Sequence, residues 1–167
     1  MKFTTKIGLA FTALFALSIT QLNAQSAPEA VMSPKEVQAA KEFLETQRNL
    51  TVIQNLPLTR EEADKFWPLY EEYRMRVRAL NDSRMTLIES YADRYRAGTV
   101  DDEFAEEAME SALKIKLQKA KLQKRYWSKF KRILPGTKAG RFYQLESKMD
   151  AEVDFVLAGG IPLLDSK

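Results

Sequence analysis

The sequence contains no cysteine and no histidine, and only six glycines and six prolines among its 167 residues. Without cysteine the chain has no disulfide and no thiolate nucleophile, and without histidine it has no imidazole base. Zinc, copper and iron therefore lose their usual nitrogen and thiolate ligands. The sequence also lacks a glycine-rich phosphate loop and a nucleophile elbow. We therefore expect no enzymatic activity, no catalytic residue, no bound metal and no cofactor.

Residues 1–24 have the three-part pattern of a secretory signal peptide. Lys2 and Lys6 form a basic start, an apolar run covers residues 7–19, and Leu22-Asn23-Ala24 ends on a small residue. The apolar run is shorter than the roughly 20 residues that a membrane span needs. We predict export with cleavage after Ala24, which lowers the formal net charge from +3 to +1. A retained amphiphilic anchor is the alternative.

The rest of the chain has the periodicity of amphipathic helices and no strand-like alternation. Capping signals at Ser33 and Thr59 open two helices, and Pro135-Gly136 separates two more. We expect a flexible tail over 25–32, helices over about 33–55, 59–98, 100–134 and 138–158, and a C-terminal tail over 159–167 with an apolar stretch at 161–164. Short turns between long helices imply antiparallel neighbours. The predicted fold is therefore all-α, an elongated antiparallel helical hairpin of about four helices over residues 33–158.

Pro68 lies inside the second predicted helix. Phe66, Tyr70, Tyr73 and Val77 continue the helical spacing on both sides of it. Proline cannot donate a hydrogen bond to the carbonyl of Asp64 and its ring crowds that carbonyl. We therefore predict a kink of the second helix at Pro68.

The third predicted helix carries acidic residues first and basic residues last. Six acids lie between Asp101 and Glu110, and no acid follows from Ser111 to Leu145. This order complements the helix dipole, which explains the acidic cluster better than a calcium site does, since the spacing and glycine of an EF-hand are absent.

Two lysines interrupt the wide apolar face of the third helix. Lys116 and Lys119 fall in its middle, and Lys124 and Lys131 fall on one border. Their ammonium groups either reach water while their stems pack, or belong to an open surface of mixed apolar and basic character. The second interpretation predicts a surface for unfolded protein chains, formed by Lys116, Leu117, Lys119, Leu122, Lys124, Trp127, Phe130 and Lys131.

Two other partners are compatible with a basic aromatic helix. Residues 124–132 resemble a nucleic-acid-binding stretch in composition, but an exported protein rarely meets nucleic acid and the aromatic residues fall at core spacing. We therefore expect no nucleic-acid partner. Weak contact with an anionic membrane surface is a further alternative.

Leu58-Thr59-Arg60-Glu61-Glu62, at the start of the second helix of an exported helical chain, resembles the LTxxQ-type motif of the Spy/CpxP family of periplasmic proteins. Leu58, Thr59 and Glu62 carry this resemblance, with Glu62 standing where the motif has glutamine. Residues 66–73 and 134–146 are similar to an uncharacterised branch of small envelope proteins within or near that family. The resemblance covers roughly residues 33–158.

The resemblance implies a bent helical hairpin that forms a homodimer in the periplasm of a Gram-negative bacterium. It also implies a stress-response protein that holds unfolded or partly folded envelope proteins without ATP. The alternatives are an adaptor or inhibitor that binds the periplasmic domain of an envelope-stress sensor kinase, and a non-catalytic structural envelope protein. Zinc-responsive members of the family use histidine or cysteine, both absent here.

Overall fold

The computed structural model describes residues 34–164, apart from the side chains of residues 34–38 and 40. The described part consists of four helices and short connections and contains no strand, which confirms the predicted all-α class. The predicted signal peptide, the tail over 25–32 and residues 165–167 lie outside it. The helices are α1 (Pro34–Asn55), α2 (Arg60–Ala97), α3 (Asp102–Ile133) and α4 (Gly136–Gly160).

The chain divides into two compact units, Met1–Ala40 and Lys41–Lys167. Of the first unit the structure describes only residues 34–40, which are helical. The second unit contains most of α1 and all of α2, α3 and α4.

Local sequence signals fix the ends of α2 and the start of α3. Thr59 caps α2 with a complete capping box, since its hydroxyl accepts from the Glu62 amide at 3.3 Å and Glu62 accepts from the Thr59 amide at 2.7 Å. Gly98 ends α2 in the left-handed conformation, with φ 65°. Asp101 accepts from the amide of Phe104 at 2.8 Å, so α3 begins at Asp102, two residues later than predicted.

Helix α2 continues through Pro68, which lies on an exposed part of its surface. The ring therefore faces solvent, while the aromatic residues on either side of it pack inward. The kink at this position stays a prediction.

Each helix of the second unit packs antiparallel to the next along the chain. Early residues of α2 meet late residues of α3, as Tyr73 and Tyr126 show with ring centroids 5.2 Å apart. The start of α4 meets the end of α3, since the rings of Phe130 and Phe142 are 4.5 Å apart. Residues of α1 meet α2 in reverse order, since Lys41 pairs with Asp82 and Glu45 lies 3.8 Å from Arg78. This up-down-up-down order follows from the short connections.

Two apolar clusters of very different size form the core. The larger cluster brings aromatic side chains of α2, α3 and α4 around Phe142, whose ring lies 5.1 Å from that of Phe66. Val52 and Leu56 of α1 belong to the same cluster. The smaller cluster lies where α2 and α3 are joined, and its buried members are Tyr91, Phe104 and Ala108.

Candidate binding surface and buried ionic cluster

The structure divides the predicted binding residues of α3 between the core and the surface. Leu122 and Phe130 are buried, with 9% and 2% of their area exposed, and both belong to the larger apolar cluster. The prediction that they form an open binding surface is therefore wrong in this structure. They point toward α2 and α4, which cover the half of the apolar face to which they belong.

Trp127 and Lys131 form a half-covered site beside this core. Trp127 is half-buried against the larger cluster, and its ring lies 5.9 Å from that of Tyr143 on α4. The ammonium of Lys131 is 5.5 Å from the centre of the Trp127 ring, within reach of a cation–π contact. Only part of the indole is therefore available to a partner.

The two lysines in the apolar face have different environments. The Lys119 ammonium pairs with the Asp150 carboxylate on α4 at 2.9 Å, and its side chain is 20% exposed. Lys116 is exposed, as is Lys124 on the border of the face. Lys119 is tolerated near the core because α4 supplies an acid there, a partner that the sequence of α3 could not reveal.

A row of exposed apolar residues occupies the N-terminal half of α3. Met109, Leu113 and Leu117 lie at intervals of four, so they share one face of the helix, and they are 49%, 65% and 55% exposed. Of the three, only Leu117 was among the predicted site residues. Met109 and Leu113 lie on the same side of the apolar face as Leu117. Their helical spacing could therefore have identified them from the sequence. We call these three residues the α3 apolar row.

A groove between α3 and α4 lies next to the α3 apolar row. Lys116, Lys119, Ala120 and Gln123 line it on α3, and Ser147, Asp150, Ala151 and Asp154 line it on α4. Its lining combines small side chains with charged ones. Lys119 pairs with Asp150, and Asp154 pairs with Arg84 of α2. These charges balance each other, so the net positive charge of the groove comes from Lys116.

A cluster of charged residues is buried where α1, α2 and α4 meet, and the sequence patterns did not predict it. We call Arg48, Arg74, Glu146 and Asp150 the buried ionic cluster; each is at most 9% exposed. Arg48 donates to Glu146 at 3.4 Å and to Asp150 at 2.7 Å. Arg74 donates to Glu146 at 3.2 Å. In the sequence, each of these four charged residues resembles a residue on the exposed face of a helix, so nothing indicated that they are buried together.

Further groups complete the hydrogen bonding of the buried ionic cluster. The guanidinium of Arg74 also donates to Glu45 of α1, the hydroxyl of Tyr70 donates to Glu146 at 3.1 Å, and the Gln123 amide donates to Asp150 at 3.3 Å. Among the described residues, no buried side-chain nitrogen or oxygen lacks a partner. A buried charge without partners would cost several kcal/mol, so this completeness makes the cluster tolerable.

The buried ionic cluster changes the pKa values of its members in different directions. Burial raises the pKa of Glu146, an effect that the charges of Arg74 and Arg48 oppose. Burial also acts on Asp150, but the nearby Lys119 and Arg48 outweigh it and hold the pKa of this carboxyl below its ordinary value. Burial and the Glu146 charge raise the pKa of Tyr70. The cluster therefore keeps Asp150 ionised at neutral pH.

The residues that carry the family resemblance lie at the start of α2 and take part in its packing and capping. Leu58 is half-buried against the larger apolar cluster, and Thr59 and Glu62 form the capping box of α2. Glu62 also pairs with Lys138 near the start of α4. A carboxylate at this position thus joins the beginnings of two helices.

Neither a metal site nor a membrane span is evident in the described residues. Within residues 34–164 no three acidic side chains come together in a way that could hold a metal ion. None of the described helices combines the length and apolarity of a membrane-crossing segment. No family model matches the sequence, and no significantly similar curated protein or solved structure was found.

Proposed function

We propose that this protein is a periplasmic holding chaperone that binds unfolded or partly folded envelope proteins without ATP. The observation that carries the proposal is the α3 apolar row, three neighbouring side chains that are each about half exposed or more. Exposed apolar side chains in contiguous rows are typical of surfaces that bind other proteins. The resemblance of Leu58, Thr59 and Glu62 to the Spy/CpxP motif supports the same class of function.

The charges around the α3 apolar row favour unfolded chains with acidic segments. Lys114, Lys116, Lys121 and Lys124 are exposed on the same part of α3, and no acid lies between Ser111 and Leu145. Long-range attraction would bring an acidic chain to this surface, and apolar contacts would then hold it. Lys119 contributes less to such attraction because it is paired with Asp150.

The experiment measures aggregation of reduced α-lactalbumin, an acidic protein, by light scattering, with the chain from Gln25 onwards and no ATP. We expect suppression at near-stoichiometric ratios. The double variant L113S/L117S should need about tenfold more protein for the same suppression, because two apolar contacts are lost. The control M75S removes an equally exposed apolar side chain, 54% against 55% for Leu117, from α2; it should retain full suppression.

One double variant tests the contribution of the lysine charges to client binding. K116E/K124E should weaken suppression and make it less sensitive to salt, because both lysines are exposed and their positive charges become negative. Lys119 is left unchanged because glutamate there would face Asp150. If the folded wild-type protein fails to suppress aggregation, the holding-chaperone proposal is wrong. A single saturable partner, such as a sensor-kinase domain, would then be the class to pursue.

A further inference from the structure

The methionine side chains are the groups of this protein that a mild oxidant converts most readily. The chain has no cysteine, so a peroxide meets no thiol, and the polarizable thioethers of methionine are the next groups to react. Among the described residues, Met75 and Met109 are 54% and 49% exposed. Met85 is partly buried, and Met149 is 9% exposed. An oxidant in solution therefore reaches two of these four thioethers directly.

Only one of the two exposed thioethers lies on the proposed binding surface. Met109 is the first residue of the α3 apolar row, whereas Met75 lies on α2. The other members of the row, Leu113 and Leu117, have hydrocarbon side chains that a peroxide leaves unchanged. Met109 is thus the member of the row whose polarity oxidation can change.

The surroundings of Met109 allow its oxidation without a change in the buried packing. Met109 lies outside both apolar clusters, so a polar group at this position does not enter the core. Glu106 and Glu110 flank it and are exposed, and the first lysine of α3 is Lys114. Hydrogen peroxide is uncharged, so these carboxylates neither attract nor repel it. The sulfur is therefore open to a small neutral oxidant in the folded protein.

We propose that Met109 is a site of reversible oxidation, at which a peroxide makes the α3 apolar row more polar and weakens the binding of unfolded chains. A lone pair of the Met109 sulfur attacks one oxygen of the peroxide, and the O–O bond breaks. The hydroxide that is released takes the proton from the transferred oxygen and leaves as water. The sulfur loses two electrons, which the peroxide gains.

The product is a sulfoxide, a polar group that replaces an apolar contact of the row. Methionine sulfoxide reductases reverse the change, since a dithiol supplies two electrons and two protons and the oxygen leaves as water. The inference rests on the proposed function for its effect on client binding. The oxidation of Met109 itself does not depend on that function.

Oxidation of Met109 should weaken client binding without abolishing it, because both leucines of the row remain. If loss of two leucine contacts raises the amount of protein needed about tenfold, loss of one contact should raise it about threefold. The chain from Gln25 onwards is treated with hydrogen peroxide, and its peptides are analysed by mass spectrometry. Sulfoxide should form at Met109 and Met75 at similar rates. At Met149 it should form at least about tenfold more slowly, because that thioether needs a local opening of the fold.

Matched substitutions assign the effect to Met109, with α-lactalbumin aggregation measured after the peroxide has been removed. M109L keeps an apolar side chain of similar volume that cannot be oxidised, so its suppression should survive the treatment. The control M75L lacks the other exposed thioether and should lose suppression on oxidation as the wild type does. M109Q places a polar helix-forming residue at the site, and should show the loss of about threefold without any oxidant. Sulfoxide reductases of both stereospecificities should restore the oxidised wild type.

The fluorescence of the apolar dye ANS distinguishes this inference from the proposed function, because the dye needs no client. Dye binding should fall on oxidation of the wild type and M75L, but not of M109L. If the untreated protein fails to suppress aggregation, the chaperone proposal is wrong, and the dye alone then decides whether oxidation of Met109 makes the row more polar. The inference is overturned if Met109 is oxidised as slowly as Met149, or if M109L loses as much dye binding as the wild type. Oxidised wild type that behaves like untreated protein in both assays would also overturn it.

Discussion

At the scale of single residues, the interior of the fold contains four charged side chains, Arg48, Arg74, Glu146 and Asp150. Glu146 is 3% exposed and receives hydrogen bonds from Arg48, Arg74 and Tyr70. Replacing such a cluster by well-packed apolar residues is often neutral or stabilising, so its net contribution to stability is small. We infer that the cluster contributes specificity instead, because each buried charge needs a partner and the pairs of Arg48 with Glu146 and Asp150 favour one register of α1 against α4.

Asp150 provides a test of the buried ionic cluster at this scale. Because its pKa is lowered by Lys119 and Arg48 against the effect of burial, its contribution to stability is present above the unfolded pKa of about 4 and is lost as pH falls through the lower folded pKa. We expect D150N to lose about 2 kcal/mol of unfolding free energy at pH 7, from a buried ion pair with one partner neutralised. Urea unfolding at pH 7, 5 and 3 measures this loss.

The difference between wild type and D150N should narrow by pH 3. The control E71Q neutralises a carboxylate that is 58% exposed and paired with Arg78, and should change stability by less than about 0.5 kcal/mol at each pH. A D150N loss that is equally large at pH 3 and pH 7 would contradict the ionised role of Asp150. Glu146 acts in the opposite sense, because a raised pKa favours the folded state toward lower pH.

At the scale of helices, each boundary has a local cause. Thr59 and Glu62 start α2, Gly98 ends it, and Asp101 starts α3. These signals act within four residues of sequence, so those at Thr59 and Gly98 could be recognised without a structure. The cap at Asp101 was not predicted, and the start of α3 was placed two residues too early. The start of α4 differs, since Pro135 makes no side-chain capping bond there.

The capping box of α2 gives a prediction for a single helix end. T59A removes the hydroxyl that accepts from the Glu62 amide, and we expect a loss of about 1 kcal/mol in urea unfolding at pH 7. The control T51A makes the same change inside α1, where the hydroxyl donates to the carbonyl of Gln47. It should alter stability by less than about 0.5 kcal/mol, since such bonds add little to a helix. Equal losses in both variants would rule out a capping role for Thr59.

At the scale of the whole second unit, the apolar core is uneven. Phe66, Tyr70, Tyr73 and Phe130 surround Phe142 in the larger cluster, whereas only Tyr91, Phe104 and Ala108 are buried where α2 and α3 are joined. The α3 apolar row follows the smaller cluster in sequence. Fewer buried contacts imply a lower free energy of local opening in that region.

Hydrogen exchange followed by mass spectrometry tests this unevenness. We expect backbone amides of residues 84–97 and 102–115 to exchange at least about tenfold faster than those of 66–80 and 122–133. F104A should speed exchange mainly in the first pair of segments, while F142A should speed it throughout, because Phe142 joins three helices. Uniform protection along α2 and α3 in the wild type would contradict the prediction.

The proposed binding surface also depends on the packing of the whole second unit, because burial decides which residues of α3 reach solvent. The helical period of α3 predicted a face wide enough for two neighbours, but not which half the neighbours would cover. In the structure, Leu122 and Phe130 are covered while Leu113 and Leu117 are exposed. The predicted surface is thus displaced toward the N-terminal half of α3.

The sequence alone determined the helical class, the four helices and most of their ends, because period and capping are local properties of the chain. It also excluded thiol and imidazole chemistry through composition. Only the tertiary structure decided which polar residues are buried together. Arg48, Arg74 and Glu146 meet across separations of 98 and 72 residues, and no local pattern encodes such distances. The same long-range packing pairs Lys119 with Asp150 and leaves the α3 apolar row at the surface.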